Sequence, residues 1–407
     1  MNSGDTAWLL TSTALVLLMT PALAFFYGGM VRRKNLLSTI MMSFAILCMV
    51  SILWIIYGYT MAFGPDFKGL IGNLAWLGLT GVGQDPSTVY ATTVPHLAFV
   101  AFQATFAIIT VALWTGAVVE RIKFGALLAF AALWFTLVYC PVAHWVWGSG
   151  GWLAQLGALD FAGGTVVHVN AGISALALAL VLGPRRGFKE GETMEPNNIP
   201  YVVLGAALLW FGWFGFNAGS ALTAGGLASS AFIATNTAAA AAGFTWMLLG
   251  WIHRRPSVIG AATGAVVGLV AITPAAGFVP VWAAIPIGAI ASIISYYVMV
   301  WRARSNKIDE SLDVFACHGM GGTWGALATG IFATKAVNAA GSGLLDGNFS
   351  QVWIQLAAIA ATMVYAFVVS WLLAKALKAT MGIRVREEEE AVGLDISQHG
   401  ENAYGGV

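Results

Sequence analysis

Two histidines stand where an apolar chain has least use for them. His168 lies about seven residues into the run 161–182 and His318 about four into the run 314–333, both among Gly, Val, Ala and Asn with no charged neighbour. At about 1.5 Å per residue, both sit part-way into their runs rather than at an end. An ionisable group in hydrocarbon costs roughly 2.5–3.5 kcal/mol on insertion scales, so each is a functional candidate. One such histidine alone reads as a core residue whose ring is satisfied on both sides. Two, flanked by small residues that permit close approach, suggest a pair. Neutral imidazoles can hydrogen-bond nitrogen to nitrogen and still offer a donor or acceptor to a small polar permeant. Metal binding needs further ligands, and the chain has no His-x-x-x-His, no Glu-x-x-His and no carboxylate within four residues of either histidine. No metal and no cofactor is expected.

Asp160 and Asp313 each begin one of these runs. The first reading for both is an N-cap, a carboxylate accepting from free backbone N–H groups at the positive end of the helix dipole. The remaining polar candidates are aromatic. Phe102 and Phe106 lie four apart on one helix face, Trp147 closes the run 124–147, and Trp213, Phe214 and Phe216 precede Ser220 at the end of 199–220. An interfacial belt accounts for any one aromatic. It does not account for Ser220 beside Gly215-Phe216-Asn217-Ala218-Gly219. Together these groups could form a vestibule where ring faces attract a cation and a hydroxyl accepts its hydrogen bond.

The elements that would hold them are membrane helices. Of 407 residues, 59% are hydrophobic and 9% charged, with a mean hydropathy of +0.80, far from the composition of soluble domains. The net charge of +1 leaves no basic surplus for nucleic acid. Cys48, Cys140 and Cys317 all lie in apolar stretches without Cys-x-x-Cys spacing and read as packing residues. Cutting at charges, prolines and polar clusters leaves eleven runs long enough to span: 8–31, 38–63, 94–119, 124–147, 161–182, 199–220, 231–251, 258–273, 281–301, 314–333 and 352–377.

Positive charge tests that count, because cytoplasmic loops collect it. Arg32, Arg33, Lys34, Arg121, Lys123, Arg185, Arg186, Lys189, Arg254, Arg255, Arg302, Arg304, Lys307, Lys375, Lys378, Arg384 and Arg386 all follow odd-numbered runs. They make 17 of the 19 basic residues, leaving only Lys68 and Lys335 on the other side. The expected protein is all-α and integral to the membrane, with eleven spans, the N-terminus outside and the C-terminus cytoplasmic. Met1 to Asp5 carry no Lys or Arg, so the first run reads as a retained span rather than a signal peptide. Residues 1–380 then form the membrane domain and 381–407 a cytoplasmic tail. On this orientation Asp160, Trp147 and Ser220 are outside and Asp313 is inside. Eleven helices are compatible with two inverted five-helix halves plus one C-terminal helix, the arrangement that puts a path at the repeat interface. Each half has an Asp and then a His at its last helix, at separations of eight and five residues.

The chain resembles the ammonium transporter family (Amt/Mep/Rh), in its bacterial and archaeal Amt branch. The likeness rests on Ala24-Phe25-Phe26-Tyr27-Gly28-Gly29, Asp160-Phe161-Ala162-Gly163-Gly164-Thr165-Val166-Val167-His168, Gly212 to Ser220, and Asp313-Val314-Phe315-Ala316-Cys317-His318-Gly319. It implies an eleven-helix homotrimer in the cell membrane with one pore per subunit, taking up ammonium or ammonia and also methylammonium. By position, Trp147, Phe106 and Ser220 match the outer ammonium-recruitment site, with Phe102 close by. Phe106 and Phe216 match the gate, and His168 and His318 the twin histidines of the conduction path. Asp160 matches the acidic residue required for ammonium handling, and Trp213 a pore-wall position.

The charge run Glu387 to Glu390 reads by itself as a solvated, disordered segment. Gly393-Leu394-Asp395 and His399 to Tyr404 instead resemble the family's C-terminal region, which packs on the cytoplasmic face, where a PII-type signal protein docks in the family. A membrane sensor is a rival reading, although no signalling domain follows residue 380. An integral membrane enzyme is another, and the chain lacks metal spacing, a nucleophile–base arrangement or a cofactor fingerprint.

Overall fold

The computed structural model describes residues 1–305 and 307–405. In hydrocarbon every backbone N–H and C=O must be bonded internally, and the apolar runs accordingly form helices. In chain order these are α1 (Ser3–Met30), α2 (Arg33–Phe63), α3 (His96–Ala117), α4 (Phe124–Leu156, broken at 148–151), α5 (Gly164–Leu182), α6 (Ile199–Ala218), α7 (Gly226–His253), α8 (Val258–Ile272), α9 (Val281–Ser305), α10 and α11 (Ser350–Thr380). Helix α10 starts as a π turn, Phe315–Met320, and runs on as Gly321–Phe332. Among the described residues, nine of these helices are long and apolar enough to cross a membrane, which leaves out the shorter α8 and α10. A two-stranded antiparallel ribbon, β1 (Asp66–Phe67) with β2 (Ile71–Gly72), interrupts the connection from α2 to α3.

The helices are not equally enclosed. The apolar window of α5 is 89% buried and that of α3 is 78%, against 28% for α11. α5 and α3, which carry His168 and Phe106, therefore sit at the centre, and α11 turns most of its side chains to the surroundings.

One end of the bundle is tied by buried charge. Glu120 accepts from the Arg32 N–H at 2.7 Å and from Arg185 Nη1 at 3.1 Å, and Arg185 forks onto Asp309 at 2.8 and 2.9 Å. Arg121 donates to the carbonyls of Gly183, Ala117 and Asp309 and to Ser311 Oγ. Buried charges survive only when paired and hydrogen-bonded in this way. The tail docks on the same end. Asp395 accepts from Leu37 N at 3.0 Å and Ser38 N at 2.8 Å, capping the first turn of α2, as a carboxylate at a helix N-terminus should. Lys34 Nζ donates to the Glu390 and Ala391 carbonyls, and Arg384 pairs with Glu390 at 2.7 Å. The disorder reading of the glutamate run is thus corrected: Glu387–Val392 is a short helix, α12, and Glu390 is 1% exposed.

The N-cap reading holds for Asp160 and fails for Asp313. Asp160 accepts from the backbone N–H groups of Gly163, Gly164, Thr165 and Val166. At the head of α10 the corresponding acceptor is Glu310, which takes Val314 N at 2.9 Å and Phe315 N at 3.1 Å. Asp313 has φ +58° and turns to Arg302 at 2.7 Å. The unequal separations of eight and five residues thereby become equal. Asp160 to His168 and Glu310 to His318 both span eight positions, and a glycine follows each histidine by four, at Gly172 and Gly322.

Glu310 lies in the loop before α10, fully buried. Burial, then the neighbouring Asp313, pushes its carboxyl up to about 7, against the pull of Arg302 and its two backbone donors. The native state therefore keeps a proton that the unfolded chain sheds near 4.5. The contribution of Glu310 to stability is greatest below that value and falls as pH rises towards about 7. In detergent, the Tm of the wild type relative to that of Glu310→Gln should therefore fall across this window. A slope identical in the variant would contradict the assignment.

Candidate functional site

Three of the side chains singled out by sequence sit on π turns: His168 on Gly164–Val169, His318 on Phe315–Met320 and Phe216 on Phe214–Ala218. A π turn inserts one residue into the helical ladder and re-aims the side chains beside it, a feature frequent at functional sites. Close backbone approach then brings the two histidine helices together. A Cβ on Gly172 would collide with the backbone of Gly319, and one on Gly322 would lie 2.9 Å from His168 Cβ. With both contacts in place, His168 Nδ1 and His318 Nδ1 lie 3.1 Å apart and their rings are 26° from parallel. That contact needs one N–H and one lone pair.

His168 also stacks on Trp213 at 5.5 Å and on Phe216 at 6.0 Å. Trp213 is fixed from behind, its indole N–H donating to Thr273 Oγ1 at 2.9 Å. Around the pair is a constriction of about 10 Å³, whose other lining side chains include Leu23, Ile109, Leu113, Val167 and Phe216. His168 Nε2 is buried there without a partner. A buried, unpaired imidazole nitrogen costs about 1–3 kcal/mol, so its position here calls for an explanation.

A cavity opens at each end of this constriction. At the charged end, one of about 190 Å³ reaches His318 past Cys317, Asp313, Thr263 and Tyr27. At the far end, one of about 210 Å³ is lined by Phe106, Trp147, Asp160 and Ser220 together with Phe99, Gln103 and Tyr90. Phe106 and Phe216 separate this far cavity from the histidines, their centroids 4.3 Å apart at 36°. Trp147 meets Phe106 edge-on at 5.8 Å, and its indole N–H donates to the Asp160 carbonyl at 2.9 Å. Ser220 donates its proton to the Phe216 carbonyl at 2.8 Å, leaving its lone pairs free to accept. The Asp160 carboxylate has no such freedom, because four backbone N–H groups and the Thr165 hydroxyl occupy both oxygens. The carboxylate holds the turn 160–166 in place, and the Asp160 backbone carbonyl holds the Trp147 indole.

Two placements differ from the spacing argument. Phe102 is fully buried and packs on Phe106 at 4.9 Å without reaching the cavity lining. The lining face of α3 is Phe99, Gln103 and Phe106, at i, i+4 and i+7. Phe214 points away, stacking on Phe232 at 4.0 Å. Gln103 went unread, although an amide one turn before Phe106 in an apolar run was a visible signal.

Comparison with known proteins agrees across the chain. A profile described as the Ammonium Transporter Family matches residues 7–404. The ammonium transporter of Bacillus subtilis (strain 168) is 53% identical over 406 residues, covering 99% of each chain. The ammonium transporter Amt1 of Archaeoglobus fulgidus is 52% identical over 405 residues, 99% of this chain and 100% of that one. The crystal structure of Candida albicans Mep2 superposes with a TM-score of 0.90 at 36% identity, covering 99% of this chain and 90% of that one.

The glycine contacts make a direct prediction. Gly172→Val drives a branched side chain into the Gly319 backbone, an overpacking cost of about 1–3 kcal/mol or more. It should lower Tm by several degrees, whereas Gly83→Ala, with nothing within 4 Å, should leave it unchanged. Equal Tm values for the two variants, read by thermal unfolding in detergent, would contradict this packing.

Proposed function

The chain belongs to the ammonium transporter family, and on that premise we propose that it recruits ammonium at the far-end aromatic cavity, takes a proton from it and conducts ammonia past the histidine pair. The observation that carries the reading is the unpartnered Nε2 of His168 inside an otherwise apolar constriction. Such a passage repels K⁺ and Na⁺, because apolar walls replace none of their hydration. Ammonium alone among these cations can shed a proton and continue as a neutral, hydrogen-bonding molecule. The rings of Phe106 and Trp147 and the Ser220 hydroxyl hold the cation, at about 0.5–2 kcal/mol per contact once desolvated. Phe106 and Phe216 form the gate, Trp213 the wall, and Asp160 keeps the entrance in shape. Methylammonium fits the same chemistry.

The multi-pass chain lies in the cell (cytoplasmic) membrane, with eleven spans, the N-terminus outside and the C-terminus in the cytoplasm. The alternation of basic loops supports this orientation. The matched spacings from Asp160 to Gly172 and from Glu310 to Gly322 support two inverted five-helix halves with α11 added. Residues 1–380 are the membrane domain and 381–407 the cytoplasmic tail. The assembly is a homotrimer with one pore per subunit. The docked tail offers an ordered cytoplasmic face for a PII-family signal protein.

Replacing both His168 and His318 with Leu should lower ammonium-induced current in proteoliposomes by about tenfold or more, or admit K⁺, with the trimer retained on size exclusion. Unchanged current and unchanged K⁺ exclusion would reject the conduction path. A cognate PII protein should co-purify under at least one condition of ATP, ADP or 2-oxoglutarate, and absence of association under all of them would reject that partner.

A further inference from the structure

We infer that Gln103 is a second neutral acceptor for the recruited ammonium ion and sets how tightly the entrance holds it; this rests on reading the far-end cavity as the recruitment site. The Gln103 side chain is 9% exposed and lines the cavity with Phe106, Trp147 and Ser220. Its Oε1 has no hydrogen-bond partner. A buried amide oxygen left unpaired is costly in the folded protein, and on an apolar helix a leucine would fill the same space without that cost. The arrangement makes sense if a donor arrives from the cavity. Oε1 itself faces the protein, and a half-turn of the terminal amide exchanges it with the accessible Nε2, which delivers the oxygen to the cavity side without moving the rest of the side chain.

Ammonium brings four N–H donors, and the cavity has few acceptors to offer. Both carboxylate oxygens of Asp160 are taken by the turn 163–166, and its carbonyl accepts from Trp147. Ser220 Oγ supplies one acceptor, and Gln103 Oε1 is the other unengaged side-chain oxygen. Both are uncharged. A neutral acceptor strengthens binding of the cation without forming the tight ion pair that a free carboxylate would, so proton release stays accessible. A hydroxyl and an amide suit a site that must hold ammonium and then let it go.

The test is the concentration dependence of ammonium-induced current in proteoliposomes of the full chain. Gln103→Leu should raise the half-saturating ammonium concentration about 5- to 20-fold with little change in maximal current. Gln103→Glu should lower both the half-saturating concentration and the maximal current, a response that a merely structural glutamine would not give. If Gln103→Leu elutes poorly on size exclusion, Gln103→Met serves in its place. Trp147→Leu separates the two readings. If it raises the half-saturating concentration while neither neutral Gln103 variant does, Gln103 is not an acceptor and the recruitment site stands. If neither position matters, the recruitment site itself is wrong and the inference falls with it.

Discussion

The contact between His168 Nδ1 and His318 Nδ1, 3.1 Å long and enclosed by hydrocarbon, is the interaction around which the molecule is arranged. An N–H to lone-pair contact between two imidazoles is worth only a kcal/mol or so in itself. Its demands on the surroundings are larger. Both rings must be brought from different helices, both helices must touch backbone to backbone, and nothing nearby may compete for the nitrogens. Gly172 against Gly319, and Gly322 against His168, satisfy the second demand. The third is met within the constriction by phenylalanine, tryptophan, leucine, isoleucine and valine side chains.

The same demand explains the carboxyl groups at the heads of α5 and α10. A π turn leaves its first N–H groups without helical partners, and in a buried position those donors must be satisfied. Asp160 takes four of them at one end and Glu310 two at the other. Charge in this protein is therefore spent mainly on geometry. The chain of ion pairs Arg32–Glu120–Arg185–Asp309 ties the loops at one end, and Asp395 binds the tail to α2.

Much of this was legible in the residue order. Hydropathy located a helix in every apolar run because each backbone has to bond within its own segment in lipid. The two histidines stood out because an imidazole in hydrocarbon has to be explained. What escaped is equally physical. A π turn changes neither composition nor apolar spacing, so Phe216 and the histidines could be named but not aimed. Asp313 sat at the right place in the sequence to cap α10, yet its positive φ turns it to Arg302 and leaves the work to Glu310. In α3, a regular helix at this point, the face given by Phe99, Gln103 and Phe106 lines the cavity and Phe102 falls beside it, a rotation that the spacing of Phe102 and Phe106 alone did not fix. The tail glutamates looked solvated because their partners, Lys34, Arg186 and Arg384, are remote or not evidently paired in the chain.

On the proposed route, the cavity with aromatic walls and neutral oxygens holds the cation first, and the phenylalanine pair and the apolar histidine passage admit it only once it is stripped of its charge. Selectivity then arises from the ability to lose a proton, not from a cage of fixed size. The most direct check is simultaneous measurement of nitrogen-15 ammonium uptake and K⁺ flux by the purified protein in proteoliposomes under equal inward gradients. Saturable ammonium uptake with K⁺ flux no greater than in protein-free vesicles is the expected result. K⁺ flux comparable to ammonium uptake, or K⁺ competing with ammonium for passage, would contradict a pore that admits only what can be deprotonated.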